Sequence, residues 1–467
     1  MTVKIRALVA ALIVVVVAAA GAIFLGYRAG ASASSIDLAA TGEVSELFGG
    51  GGSGGPALLS DALARLEKNY YKPVDPKTVY TGEVDGLREY LQAKKVKDVR
   101  LPALTPSDDA AKESAQLASV LTYAQDHYAG KIGADGKTDL TEAALRGLMG
   151  SVDDPYTVYL SPREIQGLNE SLNGGDFGGI GVYIYQLKDG RVVVQPIQEM
   201  PAAKAGMKPG EVVDTVDGKP IKGMTLDRVE QLIRGAAGST VRLTTHAYNK
   251  PSAERSYAIV REIIHVPTVR AKMENGYDYI RLSDFGETSA DEVRKALLDG
   301  QAHHAKGYIL DLRDNGGGYL EAAVEISSFF IPQGTIVSTI DRAGEKRVEE
   351  ANGTAIPGLS PLVVLVNKYT ASASEITSGA LQDYHLATLI GTKTFGKGVV
   401  QSIYPLPDHG ALKITTARYV TPLGRDIQHK GIEPDVVVPQ DPDPALIDTP
   451  ADKQLAAAKA RLSALNR

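Results

Sequence analysis

Pro361–Val366 reads PLVVLV, and this run with the stretch behind it, Asn367 to Gln401, constrains the fold more than any other part of the chain. A short apolar, largely β-branched run makes a fully buried strand. Small and hydroxyl residues follow it, Thr370, Ala371, Ser372, Ala373 and Ser374, before a helical pattern opens at Glu375 with Ile376, Ala380 and Leu381 on one face. A strand that turns sharply into a helix leaves backbone N–H groups unpaired at the turn and sets a side chain at the open edge of the sheet. A nucleophile that attacks a peptide carbonyl is well placed there.

A serine hydroxyl needs a base, because near neutral pH it is almost wholly protonated and weakly nucleophilic. No histidine stands in a motif-like position: His385 falls inside the predicted helix and His409 in a loop. The candidate is Lys397, in Thr394-Phe395-Gly396-Lys397-Gly398, where the glycines let backbone approach closely and keep bulk away from the amine. A lysine serves as a general base only if desolvation brings its pKa down from about 10.4 toward neutrality. The apolar runs Leu389-Ile390 and Val399-Val400 offer that dry setting, and Gln401 offers an uncharged acceptor to orient the amine.

This stretch resembles the active-site segment of the carboxy-terminal processing proteases, Ser-Lys serine peptidases of family S41 that carry a PDZ domain. The shared pattern is a set of small residues and serines before Glu375, a lysine in a Phe-Gly-Lys-Gly turn, and a glutamine; Thr370 stands where many members carry serine. The resemblance implies that Ser372 is the nucleophile, Lys397 the general base and Gln401 its orienting partner. Ser374 is read as the structural cap. Asp383 is read as structural too, since a carboxylate beside the lysine would hold the ammonium charged.

The first thirty residues bear on compartment. Lys4 and Arg6 precede a run of apolar and small residues from Ala7 to Gly26, long enough to cross a bilayer as a helix. Residues 1–30 are therefore expected to be a signal peptide or a transmembrane anchor, with the N-terminus cytoplasmic and the rest exported, to periplasm or cell envelope. Ala31-Ser32-Ala33 offers a cleavage site while the length of the apolar run favours an uncleaved anchor, so membrane attachment through this segment stays open. The chain of 467 residues has no cysteine and a net charge of −6. That removes disulfides, thiol chemistry and lipoprotein anchoring, and argues against nucleic acid as a partner.

Residues 31–56 contain the run GGGGSGG and read as a flexible linker. Helical spacing of Leu59, Leu63 and Leu66, and further patterns through Leu91, from Ala111 to His127 and from Leu140 to Tyr159, predict a helical region over 57–165. Asp153 and Asp154 read as a cap or turn before Pro155 rather than a cation site. Residues 166–263 form a second unit. Its glycine loop, Gly178-Gly179-Ile180-Gly181-Val182, runs into a strand rather than a helix, which suits capture of a peptide carboxylate and not a dinucleotide. With Gly206 to Glu211, Val216 to Lys219 and a helix from Leu226 to Ile233, it resembles a bacterial, circularly permuted PDZ domain, and Gly179, Ile180, Gly181 and Val182 become the carboxylate-binding residues.

Strands and helices alternate over 264–440, which implies an α/β core. The strand Gly307 to Leu312 ends in Arg313-Asp314-Asn315-Gly316-Gly317-Gly318; the resemblance places an oxyanion hole there, at Gly317, with the N–H of Ala373. A phosphate loop is the competing reading, but no lysine of that motif follows. The tail 441–467 carries a short amphipathic helix that is expected to pack on a second subunit, a possible homo-oligomer. The expected fold is thus multidomain α+β: a helical N-terminal region, a β-rich permuted PDZ domain and an α/β core that the resemblance makes ClpP/crotonase-like. The expected activity is that of a serine endopeptidase acting on protein or peptide substrates near their C-termini, needing no cofactor and no metal. A non-catalytic PDZ scaffold on a decayed protease core is the alternative, and a trypsin-type enzyme lacks its His and Asp motifs.

Overall fold

The computed structural model describes residues 54–467 and the pair Ile36–Asp37, apart from positions 106, 108, 173–176, 188, 249, 265–266, 441–445 and 467. The expected membrane segment lies outside these residues, and among the described ones no helix is long and apolar enough to cross a membrane.

Four helices, Gly55–Asn69, Pro76–Ala93, Ala110–Ile132 and Gly136–Gly150, make the N-terminal bundle. Leu59, Leu63 and Leu66 recur every three or four residues along the first and are all buried, so one stripe of it faces the other helices. Asp75 and Asp109 start the second and third by accepting backbone amides, at 3.0 Å from Lys77 and 3.0 Å from Ala111. The helix expected to reach Tyr159 ends at Gly150, and Val158–Leu160 is instead a strand. The bundle core continues into Leu406, Leu412 and Ile414, which belong to the α/β core of residues 264–440. Tyr71 N–H also donates to Thr415 O at 2.9 Å.

The unit expected to be PDZ-like is a sheet in the order Val182–Gln186, Val192–Pro196, Glu211–Val216, Thr240–Ala247, Lys250–Val260, with the helix Leu226–Ile233 across it. Phe177–Gly179 pairs antiparallel with Glu262–Ile264, so the strands that enter and leave this unit are clasped to each other.

In the core, a six-stranded sheet runs Val269–Glu274, Tyr277–Leu282, Tyr308–Asp311, Leu362–Val366, Ala387–Gly391, Val436–Val437; all but the first pairing are parallel. The unbroken apolar run of Leu362–Val366 is explained by its central place. Leu362, Val364 and Val366 pack with the helices Ser289–Ala302, Leu320–Ser328 and Ala373–Asp383, while Val363 and Leu365 face the other way, onto Leu455, Ala458 and Leu462 of the helix Lys453–Leu465. That last contact corrects the expectation for the tail: its apolar face covers this chain's own sheet. A second sheet joins Val399–Pro405, Ala411–Val420, Thr335–Asp341 and Lys346–Glu350, with Val158–Leu160 paired to Ala411–Val420 and Ile36–Asp37 parallel to Gln401 and Ser402.

The tail is also fastened by charge. Arg313, buried just after the strand Tyr308–Asp311, donates to Asp311 at 2.6 and 2.9 Å, to both Asp452 oxygens at 2.8 Å, and to Gln454 at 3.2 Å. Two carboxylates and a fork of N–H donors leave little of this charge unsatisfied. Asp452 also caps the tail helix by accepting Leu455 N–H. Removing one partner leaves buried charge uncompensated, so Asp452→Ala is expected to cost about 3 kcal/mol in urea unfolding. The guanidinium holds Asp452 below the usual carboxylate range against the opposing effect of burial. Its contribution is therefore complete above the unfolded value of about 4 and is lost as pH falls through the depressed folded value; the deficit of the variant shrinks in acid.

Candidate active site

Ser372 sits between the buried strand Leu362–Val366 and the helix Ala373–Asp383, at φ 57° and ψ −119°, a backbone conformation that L residues avoid. The helix begins two residues earlier than its apolar pattern indicates. Ser372 itself is its N-cap residue, which corrects the reading of Ser374: Ser374 lies inside the helix and its hydroxyl donates to Asn315 O at 3.0 Å.

Why the turn holds this shape is visible in Glu375. Buried completely, it accepts Ser372 N–H at 3.0 Å and Lys397 N–H at 2.9 Å on one oxygen, and Gly396 N–H at 2.8 Å and the Thr394 hydroxyl on the other. A single carboxylate thus joins the serine turn to the lysine turn. Burial raises its pKa and the four donors oppose that rise. Tyr419 completes the link from the opposite side, its hydroxyl lying 2.6 Å from Lys397 O and 3.2 Å from Ser372 O.

The glycines beside Lys397 have the use expected of them. A Cβ on Gly396, at φ 88°, would stand 2.7 Å from Gly431 N, so only glycine lets the lysine turn lie against the segment Ile427–Gly431. Lys397 is fully buried, and the centre of the Tyr156 ring is 4.7 Å from its amine. Burial pushes the lysine pKa well below its ordinary range; Lys413 nearby pushes the same way, and Asp154 and Glu375 oppose. Gln401 is buried as well. Its Nε2 donates to Thr415 Oγ1 at 3.2 Å and its Oε1 has no partner, so the expected bond from the lysine amine to this oxygen is not made in this arrangement.

The turn Asp314–Gly318 lies against Ser372. A Cβ on Gly317, at φ 107°, would be 2.8 Å from Ser372 Cβ and 2.9 Å from Ala373 N. The turn is stitched to the serine segment by Ala371 N–H to Asn315 O at 3.0 Å and by a bond of 2.8 Å between Asn367 and Asp314. The Gly317 amide, however, donates to Asn315 Oδ1 at 2.9 Å. It is committed within the turn, which speaks against its expected place as an oxyanion donor here, while Ala373 N–H lies in the first turn of the helix behind the serine. Asp383 accepts Leu423 N–H and pairs with Arg425, and Asp435 accepts Leu389 N–H and Gln382 Nε2; all three side chains pin loops.

In the PDZ unit, Gly179 is part of the clasp with Glu262, Ile180 is buried in the core, and the carbonyls of Ile180 and Gly181 accept the amides of Ala202 and Ile197. Val182 opens the terminal strand Val182–Gln186, whose neighbour on one edge is Val192–Pro196 and which faces the helix Leu226–Ile233. A terminal strand beside a helix is the geometry that accepts an added peptide strand.

Comparison with known proteins identifies the family. The peptidase family S41 pattern matches residues 276–438 and a PDZ-domain pattern matches residues 192–245. The chain is 40% identical over 308 residues to a carboxy-terminal-processing protease of Bartonella bacilliformis, an alignment that spans 64% of this chain and 70% of that one. The chain belongs to the carboxy-terminal processing proteases of peptidase family S41. A carboxyl-terminal-processing protease of Picosynechococcus is also 40% identical, over 64% of this chain and 73% of its own. The photosystem II D1 C-terminal processing protease, a solved structure, is 28% identical and aligns over 86% of this chain and 100% of its own with a TM-score of 0.46.

Sequence reasoning passed over several residues of this protease's site. Glu375 carried a signal, since Ser372-x-x-Glu375 is the spacing of a capping box. Tyr419, Tyr156 and Thr415 carried none, because each reaches the site from another strand or turn, and Asn315 stood in the glycine-turn motif with no mark of its contacts to the serine segment.

A buried lysine of depressed pKa weakens the fold. Its unfolded form binds a proton that the folded form gives up, so the penalty is full below the folded pKa and disappears as pH rises toward about 10.4. Lys397→Met, made in a Ser372→Ala background to prevent self-cleavage, is expected to raise Tm by about 2–4 °C near pH 7. The gain shrinks toward pH 10 in calorimetry.

Proposed function

We propose that this protease is an exported serine endopeptidase that recognises substrate C-termini through its PDZ domain and cleaves by a Ser-Lys mechanism. The observation that carries the reading is the Glu375 carboxylate, which accepts the amides of both Ser372 and Lys397 and so sets one turn against the other. The amine of Lys397, whose charged form burial disfavours, takes the Ser372 hydroxyl proton as Oγ attacks the scissile carbonyl. The tetrahedral intermediate collapses to an acyl-enzyme, and the ammonium of Lys397 returns the proton to the leaving amine. Water then attacks the acyl group with Lys397 again as base, which frees Ser372.

Gln401, with its buried acceptor oxygen, is the group that receives the lysine amine during the cycle. The oxyanion is met by Ala373 N–H and by an amide of the glycine turn, and Gly317 serves there only after leaving Asn315. Peptide held along Val182–Gln186 supplies binding energy that orients the scissile segment. The location outside the cytoplasm rests on the positive flank and apolar run of the first thirty residues.

Wild type, Ser372→Ala and Lys397→Ala, compared on casein and on a peptide with a free C-terminus, test the mechanism. Both variants are expected to fall by about 10³-fold or more in kcat/KM. Equal cleavage by all three would exclude the Ser-Lys assignment, and no cleavage by any of them would favour a scaffold.

A further inference from the structure

The strand Val399–Pro405, which begins just after Lys397, has an edge that the chemistry so far described leaves unused. On one side it pairs with Ala411–Val420 along its whole length. On the other it closes the sheet but for two residues from the N-terminal part of this same chain: Ile36 runs parallel opposite Gln401 and Asp37 opposite Ser402. The backbone of that pair also comes near the helix Leu320–Ser328, which starts just after the glycine turn. The pair is thus flanked by the strand that carries Gln401 and by the helix that follows the turn lying against Ser372. In sequence it is tethered to the bundle by a stretch that ends in the glycine run GGGGSGG. The direction of the pairing is informative. Tyr419 Oη lies 2.6 Å from Lys397 O and 3.2 Å from Ser372 O, so serine and lysine both stand at the N-terminal end of Val399–Pro405. A peptide that runs parallel to this strand turns its N-terminal side toward Ser372, and its residues opposite Gln401 and Ser402 lie C-terminal to the bond being cut.

We propose that the edge of Val399–Pro405 binds, by parallel strand pairing, the part of a peptide substrate C-terminal to the scissile bond, and that the Ile36–Asp37 segment of this chain occupies that edge as a competitor in cis. The inference rests on the Ser372–Lys397 reading above, from which it takes the position of the reacting pair. A strand edge presents N–H and C=O groups that an extended peptide satisfies through its backbone, whatever its side chains. The same groups cannot pair with two chains at once, so substrate and the resident segment exclude each other at Gln401 and Ser402. Tethering keeps the resident segment at high local concentration, while a pairing only two residues long holds it weakly enough to be displaced. The edge is distinct from that of Val182–Gln186: one would hold the peptide beside the reacting groups, the other at a distance from them.

The test uses the full chain and a casein-derived peptide. Proline has no N–H to give to a ladder, so Ile36→Pro together with Asp37→Pro removes whichever of the two amides faces the strand. The double variant is expected to lower KM about tenfold with kcat unchanged, because a site held by a resident segment offers substrate only its free fraction. The peptide ASSIDLAA, residues 33–40, added in excess to that variant is expected to raise KM back toward the wild-type value, again at constant kcat. In Ser372→Ala, where nothing is cut, amide hydrogen exchange across Val399–Pro405 is expected to quicken when the two prolines are added. An unmoved KM, or exchange that does not quicken, overturns the proposal, and so does a peptide that fails to compete with substrate. A wild-type KM that rises with enzyme concentration assigns the occupant to a second copy and overturns it as well. Cleavage surviving in Lys397→Ala sinks the Ser-Lys reading and this one with it, whereas an unmoved KM in the proline variant beside an inactive Lys397→Ala sinks this inference alone.

Discussion

One buried carboxylate holds the centre of this protein together. Glu375 gathers donors from Ser372, Thr394, Gly396 and Lys397, so a turn after one strand and a turn before another share a single anchor. Leaving those amides unpaired in the interior would cost about 1–3 kcal/mol for each group, more than a marginally stable fold tolerates lightly. The unusual backbone of Ser372 persists because this anchor and the Asn315 contacts over-determine it. Geometry at the site is therefore a property of the hydrogen-bond network behind it.

The same logic explains why so much of the chain converges on a few residues. The central strand Leu362–Val366, apolar on both faces, fixes where the serine turn begins, and the tail helix that covers its far face is tied through Asp452 to Arg313, at the head of the glycine turn. The helical bundle reaches in through Tyr71 to the carbonyl of Thr415, whose hydroxyl touches Gln401. Folding, packing and positioning of the reactive groups share their contacts here.

What could be read from the sequence was local. The run PLVVLV, the small residues after it and the Phe-Gly-Lys-Gly turn each announce their structure within a few residues, and the heptad-like leucines of the first helix do the same. The helix boundary at Ser372 and the role of Ser374 were misplaced because apolar periodicity says nothing about where a capping turn closes. A second subunit was one cover the tail's stripe allowed, because an amphipathic stripe reveals that it is covered and not by what. Tyr156, Thr415 and Tyr419 were illegible for a related reason: their meaning comes from which strands pair and in what register, and one sequence carries no signal of register.

The claim that the shared Glu375 anchor sets the lysine amine against the serine is tested most directly by a structure of the full chain with a peptide boronate bound covalently to Ser372. The account predicts that Glu375 still accepts the amides of Ser372 and Lys397, and that the Lys397 amine lies within about 3 Å of the serine oxygen. An adduct in which Glu375 keeps both bonds while the amine points away from that oxygen would contradict it.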